Sequence, residues 1–197
     1  MFCELYVNNA FSSPCDKLYK RENINSYFDI NISSWEDLIF NFEYLKNVST
    51  MSFITNTLYN YICLSSDSLS KKYKENAFDM ELQLFKKASE FCENCLSVDF
   101  DMWGVNTHFV QFVFSIIQPL VYSSELSKDD KINQISKWIY NESVQKASTN
   151  VKFENLQLKL IGFLIKKKNV NAIYVYFNIK YKLFKIMKFV QNKLKQI

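Results

Sequence analysis

The chain has 197 residues, 48% of them hydrophobic, which is enough for one domain with a substantial core. It contains only two glycines and two prolines. Because tight turns between strands rely on these residues, the composition excludes a β-sandwich, a barrel or a doubly wound sheet. The net charge is +4, but ten lysines and no acidic residue occur from residue 155 onward, so the first 154 residues carry −6. An all-α protein with an acidic body and a basic end is therefore predicted.

Three segments in the first half of the chain carry apolar residues at steps of three and four, the spacing of a helix with one buried face. The first begins at Trp35, with Ser34 as the predicted N-cap. The second covers residues 51–73 and the third residues 77–97. In the third segment the residues expected to face the core are Phe78, Leu82, Phe85, Ala88, Cys92 and Cys95.

The second half of the chain opens with residues 109–122, which are apolar on nearly every side and predict a helix packed all round. Ser127 followed by Asp130 is typical of a capping box and predicts the start of the next helix, which is expected to run to Val144. Two more helices are expected over residues 153–166 and 170–195. We predict one globular bundle of about seven helices around a central apolar helix. It forms a single domain over residues 1–197, in which residues 167–197 are a basic amphipathic C-terminal helix.

Few residues carry recognisable chemistry. Cys92 and Cys95 form a Cys-x-x-Cys pair, but zinc needs four ligands and no second pair follows, so both are interpreted as small core residues. His108 is the only histidine, and with no nucleophile beside it we interpret it as a structural or groove-lining side chain. Two separated glycines cannot form a phosphate-binding loop. We therefore expect no enzymatic activity, no cofactor and no metal.

The C-terminal segment alternates lysines with apolar residues between Lys180 and Lys188. Its uncharged run, residues 169–179, is shorter than the roughly 20 residues that span a bilayer. A basic amphipathic helix here suits peripheral contact with an anionic membrane surface, or packing on the acidic body. The five cysteines suggest no disulfide framework and residues 1–11 do not resemble a secretion signal. An intracellular protein is expected, neither secreted nor membrane-spanning.

Residues 58–143, a little under half the chain, contain motifs that resemble those of the Bcl family of apoptosis regulators. The family's first homology motif, Asn-Trp-Gly-Arg, opens an apolar central helix that carries phenylalanines. The corresponding residues here are Met102, Trp103, Gly104, Val105, Phe109 and Phe112. The third motif combines a large apolar residue, a small residue, an acid and a Ser-basic-basic-Tyr run. The matching residues are Ile62, Ser66, Asp67, Ser70, Lys71, Lys72 and Tyr73.

The resemblance implies the Bcl fold, with a hydrophobic groove that binds amphipathic death-motif helices of host pro-apoptotic proteins. It further implies a divergent, virus-encoded type of apoptosis inhibitor in the host cytoplasm, associated with the mitochondrial surface. Gly104, which has no side chain, would let the backbone of the bound helix approach closely. The predicted groove residues are Leu69, Lys72, Tyr73, Phe78, Leu82, Leu96, Met102, Trp103, Gly104, Val105, His108 and Phe109.

The chain departs from the family at two groove positions. Met102 replaces the motif's asparagine, and Val105 replaces the arginine that pairs with an aspartate of the ligand. These departures favour a second hypothesis, a Bcl-fold immune modulator with a closed groove that binds a host signalling adaptor through its outer face. A third is a basic helical protein that binds RNA or a membrane through its C-terminal helix, with nucleic acid the weaker partner because lysines alone give only non-specific attraction. Whether the chain forms a homodimer is left open.

Overall fold

The computed structural model of the chain describes residues 1–30, 35–56, 58–60, 76–96 and 99–194. These residues form eight α-helices and no β-strand, which confirms the prediction of an all-α protein. The helices are α1 (Phe2–Val7), α2 (Glu36–Leu45), α3 (Ala77–Phe91), α4 (Trp103–Tyr122), α5 (Lys128–Tyr140), α6 (Glu142–Ala147), α7 (Leu156–Lys166) and α8 (Val170–Leu194). A 3-10 turn at Arg21–Asn23 precedes α2, and a π turn at Cys92–Leu96 follows α3.

The chain divides into two compact units, Met1–His108 and Phe109–Ile197, and the boundary between them falls inside α4. In the first unit α2 packs on α3, and aromatic rings fill the space between them. Phe42 stacks on Tyr6 at 6.1 Å and on Phe91 at 4.9 Å between ring centroids. The buried core of this unit consists of Tyr6, Phe11, Leu38, Phe42, Leu84, Ala88, Phe91, Cys92 and Val105.

A buried amide, Asn41 of α2, holds the loop that follows α1. Its Nδ2 donates to the backbone oxygen of Phe11 at 2.6 Å, and its Oδ1 accepts from the Tyr19 hydroxyl at 2.5 Å. Burial, together with nearby acidic groups, raises the pKa of Tyr19, so the phenol stays protonated and keeps its role as donor. Because a buried amide without partners would cost free energy, these bonds fix the loop to α2.

Polar caps define the helix ends in the second unit. Ser127 Oγ accepts a hydrogen bond from the backbone nitrogen of Asp130 at 3.1 Å and donates to its carboxylate at 2.6 Å, which confirms the predicted helix start. The buried Lys131 donates to the backbone oxygens of Val121 at 3.1 Å and Ser123 at 2.5 Å. These carbonyls belong to the C-terminal end of α4, where helices leave acceptors unpaired, so Lys131 acts as a cap.

The helices that follow are also fixed by asparagine caps. Asn155 accepts from the backbone nitrogen of Gln157 at 2.7 Å at the start of α7, and Asn169 accepts from that of Ala172 at 3.1 Å at the start of α8. α8 packs on both α5 and α7. Side chains with no exposed surface come from each of these helices: Ile135, Ile139, Ile161, Ile165, Ile173 and Phe177.

Two predictions about the helices are corrected, and a third falls outside the described residues. Residues 51–56 and 58–60 form no helix, so the second predicted helix is wrong over that stretch, and its remainder lies outside the described residues. The predicted N-cap Ser34 also lies outside them, and α2 begins at Glu36. The helix expected to run from residue 127 to Val144 is two helices, because the chain turns at Asn141, whose side chain accepts from the nitrogen of Ser143 and starts α6.

Two predicted buried faces are also corrected. α3 buries Phe78, Glu81, Leu84, Ala88 and Phe91, whereas Leu82 and Phe85 are half-buried and Cys95 is exposed. The buried face of α3 is rotated by about one residue from the predicted face. It includes the carboxylate of Glu81, which a hydrophobic pattern assigns to solvent. α4 is not packed all round, since Ser115 and Pro119 reach solvent.

Candidate helix-binding site

The N-terminal helix α1 lies directly on the first turn of α4, at Gly104. A Cβ atom placed on Gly104 would lie 2.5 Å from the Cβ, 2.6 Å from the Cα and 2.7 Å from the backbone oxygen of Cys3. Carbon atoms in ordinary contact are about 3.5–4.0 Å apart, so only glycine permits this approach. The Cys3 Sγ also donates to the backbone oxygen of Asp101 at 3.2 Å. The close helix contact expected at Gly104 is present, and the helix that makes it is the chain's own α1.

Aromatic contacts hold α1 in this position. The Phe2 ring centroid lies 5.2 Å from Phe11, 5.6 Å from Phe91 and 5.8 Å from Phe100. One turn later Tyr6 is 4% exposed, within the core of the unit. Aromatic pairs at such distances contribute about 0.5–1.5 kcal/mol each beyond the burial of their surface. α1 is therefore a short amphipathic helix whose apolar face is packed against the rest of the first unit.

A buried carboxylate lies beside α1. Glu81 of α3 is 1% exposed, and its Oε1 lies 3.3 Å from Nδ1 of His108. Burial raises the pKa of Glu81, and hydrogen bonds from His108 and Trp35 oppose that shift. Within the described part of the chain, the second oxygen of this carboxylate, Oε2, has no hydrogen-bond partner. The fold thus buries a polar group that is only partly compensated.

Aromatic rings enclose this pair. Tyr6 and Trp35 approach the His108 ring edge-on, with centroids 5.2 Å and 5.9 Å away. Burial and the charge of Glu81 raise the pKa of Tyr6, so its hydroxyl remains protonated. His108 is therefore a structural side chain that links α4 to α3 and to α1, in line with one of the two roles expected for it.

The predicted groove residues occupy three kinds of position. Outside the described residues lie Leu69, Lys72 and Tyr73. Buried, and so not lining an open surface, are Phe78, Gly104, Val105 and Phe109. Half-buried or exposed are Leu82, Leu96, Met102, Trp103 and His108. Val105 lies in the buried core of the first unit. It is 1% exposed, and an aliphatic side chain suits that place where an arginine would not.

A shallow surface groove between α2 and α3 contains none of the predicted residues. Its lining mixes apolar and charged side chains: Ile39, Phe42, Glu43, Lys46, Lys87, Glu90, Phe91 and Asn94. Lys46 and Glu43, three residues apart at the end of α2, form an ion pair at 2.6 Å along one of its walls. A helix ligand needs a continuous apolar floor, which this groove does not offer.

Sequence reasoning missed α1 and Glu81. Phe2, Cys3 and Tyr6 do share one face at helical spacing, but six residues are too few for a period to be recognised. Nothing in the sequence marks Glu81 as the acid that is buried. Of the Cys-x-x-Cys pair, Cys92 is buried, which raises the pKa of its thiol to about 12. Among the described residues no group of three His, Cys, Asp or Glu side chains could hold a metal ion.

The first unit thus defines an all-α scaffold that holds a short amphipathic helix against the backbone of a glycine. No protein-family model, curated protein or solved structure matches the chain.

Proposed function

We propose that the first unit is a receptor for an amphipathic α-helix, which binds where α1 lies. The observation that carries this proposal is the contact between the backbone of α1 and Gly104, with Cys3 Cα 2.6 Å from the position of a Cβ. A surface that accepts one helix at backbone contact has the shape to accept another of the same kind.

The shortness of α1 supports its exchange for a partner helix. Helices of six residues have little intrinsic stability, so the helical form of α1 depends on its packing. Phe2, Cys3 and Tyr6 provide its apolar contacts on this surface. A longer partner helix with anchors at steps of three and four would bury more apolar surface in the same place. α1 would then act as an internal competitor that sets the apparent affinity.

The class of partner is proposed from the motif resemblance. Trp103 and Gly104 at the start of an apolar helix resemble the Bcl first homology motif, so we propose death-motif helices of host pro-apoptotic proteins as the ligands. Capture of these helices would block apoptosis, as in virus-encoded members of that family, in the host cytoplasm or at the mitochondrial surface. Because Val105 is a buried core residue, recognition here would be mostly apolar and should change little with salt.

Calorimetric titration with a panel of death-motif peptides tests this proposal. The native chain is compared with Phe2→Ser, which removes the ring that packs on Phe11, Phe91 and Phe100. Loosening α1 by about 1–2 kcal/mol should tighten peptide binding about 5- to 30-fold. Phe28→Ser is the matched control, because Phe28 stacks on Phe40 instead, at 4.7 Å. Peptide affinity should be unchanged in that variant.

Gly104→Ala distinguishes the loosening of α1 from the opening of its site to a ligand helix. A Cβ at Gly104 should loosen α1 just as Phe2→Ser does, but it would exclude a ligand helix equally, so no gain in affinity is expected. Equal gains in Phe2→Ser and Gly104→Ala would mean that the ligand binds elsewhere. Lack of binding by the native chain and by Phe2→Ser across the whole panel would refute the proposal.

A second candidate function is favoured by one observation. Cys3 fills the space over Gly104, as a permanently closed groove would require. Under this alternative the chain is an immune modulator that binds a signalling adaptor through its outer face, and α1 never leaves. Phe2→Ser would then lower the stability of the first unit without creating a binding site for any death-motif peptide.

A further inference from the structure

The C-terminal helix α8 exposes a row of apolar side chains that the described residues of the second unit leave about half uncovered. At steps of four, four, three and four residues, one stripe along the helix is formed by Val175, Ile179, Leu183, Ile186 and Val190. Each member of this apolar stripe keeps about half of its surface or more exposed, from 47% at Val190 to 59% at Ile186. Met187, 60% exposed, lies next to the stripe.

Contacts on another side of α8 leave the stripe free. The Phe177 ring meets Phe114 edge-on at 5.2 Å, and Tyr181 stacks on Tyr122 at 4.5 Å. Between them, Lys180 Nζ donates to Oε1 of Gln118 at 3.1 Å. At 100° per residue, Phe177 and Tyr181 point well away from the stripe. α8 therefore has one packed apolar side and a second apolar side in solvent.

Exposed lysines share α8 with the stripe, Lys182 at its edge, and no acid in the helix balances them. Lys182, Lys185 and Lys188 are exposed, and α8 contains neither aspartate nor glutamate. Lys185 Nζ lies 4.4 Å from the centre of the Tyr181 ring, away from the stripe. An exposed apolar face beside a lysine-rich one is the arrangement of helices that lie in the plane of a membrane interface.

We propose that α8 docks on an anionic lipid surface, with the apolar stripe inserted at the boundary between headgroups and acyl chains. Lys182 would lie at the level of the lipid phosphates, with Lys185 and Lys188 further round the helix on its water-facing side, and each lysine near the surface adds to the attraction. The described chain contains no helix that is both long and apolar enough to cross a bilayer. Charge selects this occupant over a second copy of α8. Two such helices joined through their stripes would bring lysines together with no acid on either helix to pair them.

This proposal concerns the second unit and is independent of helix binding by the first. The test is flotation of the full chain with vesicles of phosphatidylcholine alone and of phosphatidylcholine mixed with phosphatidylserine. Binding is expected only to the mixed vesicles, and it should weaken as salt is raised. Replacing Lys182, Lys185 and Lys188 together with glutamine should lower the partition coefficient about 100-fold, since each lysine near the surface contributes about fivefold. The matched triple variant Lys86→Gln, Lys128→Gln and Lys137→Gln removes the same charge from exposed positions elsewhere and should change it by less than about twofold.

A second pair of variants tests the apolar stripe. Leu183→Gln combined with Ile186→Gln should weaken binding at least about tenfold, because two side chains can no longer enter the apolar layer. The control, Leu18→Gln with Ile54→Gln, makes the same changes at residues 99% and 67% exposed in the first unit, and should bind as the native chain does. Helix content by circular dichroism should be the same in all variants.

Four results would overturn the proposal. The first is failure of the native chain to bind mixed vesicles. The second is an equal loss of binding in the two lysine triple variants, which would mean general electrostatic attraction. The third is a dimer in solution that the stripe variant abolishes without any vesicle binding, which would assign the stripe to a protein interface. The fourth is salt-sensitive binding to single-stranded RNA, unaffected by the stripe variant, in place of binding to vesicles.

Discussion

Exchanging each of the two glycines for alanine should affect stability differently, because different atoms occupy the space beside them. At Gly104 the added Cβ meets the Cβ, Cα and backbone oxygen of Cys3 between 2.5 and 2.7 Å. A rotamer change cannot move backbone atoms, so α1 has to retreat by about 1 Å to restore an ordinary contact distance. At Gly162 the nearest atoms all belong to the ring of Phe153, which can swing aside.

These contacts determine how much each substitution should change the free energy of unfolding. Overfilling a packed site costs about 1–3 kcal/mol, whereas alanine gains up to about 1 kcal/mol over glycine in a helix. Gly104→Ala should therefore lower the free energy of unfolding by about 1–2 kcal/mol. Gly162→Ala, in the interior of α7, should leave it unchanged within about 0.5 kcal/mol or raise it slightly. Urea denaturation followed by circular dichroism measures both differences.

Alkylation of the buried cysteines shows where Gly104→Ala acts. Cys3 of α1 is 4% exposed and Cys92 at the end of α3 is fully buried. Under native conditions Cys3 should be labelled faster in Gly104→Ala than in the native chain, while Cys92 stays protected. Peptide mapping by mass spectrometry distinguishes these sites from the exposed Cys15 and Cys95. Equal stability of the native chain and Gly104→Ala, with Cys3 still protected, would refute the close packing of α1 on α4.

Three further predictions concern polar groups. Burial raises the pKa of Glu81 above its ordinary 4.5, so the folded state binds this proton more tightly. Stability should then fall as pH rises through the raised pKa, by at most about 1.4 kcal/mol per pH unit, and Glu81→Gln should flatten this dependence. If the free energies of unfolding of the native chain and Glu81→Gln, measured in urea, change with pH in parallel, the burial of a protonated Glu81 is contradicted. Lys131→Met should lower the free energy of unfolding by about 1.5–3 kcal/mol, because it leaves the carbonyls at the end of α4 unpaired. Lys137→Met, at an exposed position, should change it very little. Equal melting temperatures of these two variants would exclude the cap. Ser127→Ala should lower the free energy of unfolding by about 1 kcal/mol, and Ser127→Asp by much less, because aspartate can also cap the helix. Equal melting temperatures of these two variants would mean that the cap contributes nothing.

Much of the helical architecture could be predicted from local patterns. The apolar period located α3, α7 and α8, and the pairing of Ser127 with Asp130 located the start of α5. These features depend on residues close in sequence, so they can be read without knowledge of the tertiary fold. The period also misled over residues 51–56 and 58–60, which form no helix although their apolar residues recur at helical spacing.

The candidate site depends on contacts between distant residues, and these could not be predicted. The motif resemblance indicated a close helix contact at Gly104, but nothing local indicates that Cys3, about one hundred positions earlier, packs against it. Glu81 is likewise paired with a distant residue, His108 on another helix, whose Nδ1 lies 3.3 Å from its Oε1. Both cases show a tertiary contact overriding the local rule, as is common where a fold buries polar or closely packed groups.

The most direct test of helix exchange is the labelling of Cys3 in the presence of a bound peptide. If a death-motif helix takes the place of α1, saturating peptide should speed alkylation of Cys3, because its thiol leaves the contacts with Gly104 and Asp101. Cys92 should remain protected by the core. A peptide that binds while Cys3 stays as slow to react as in the free protein would contradict the proposed site.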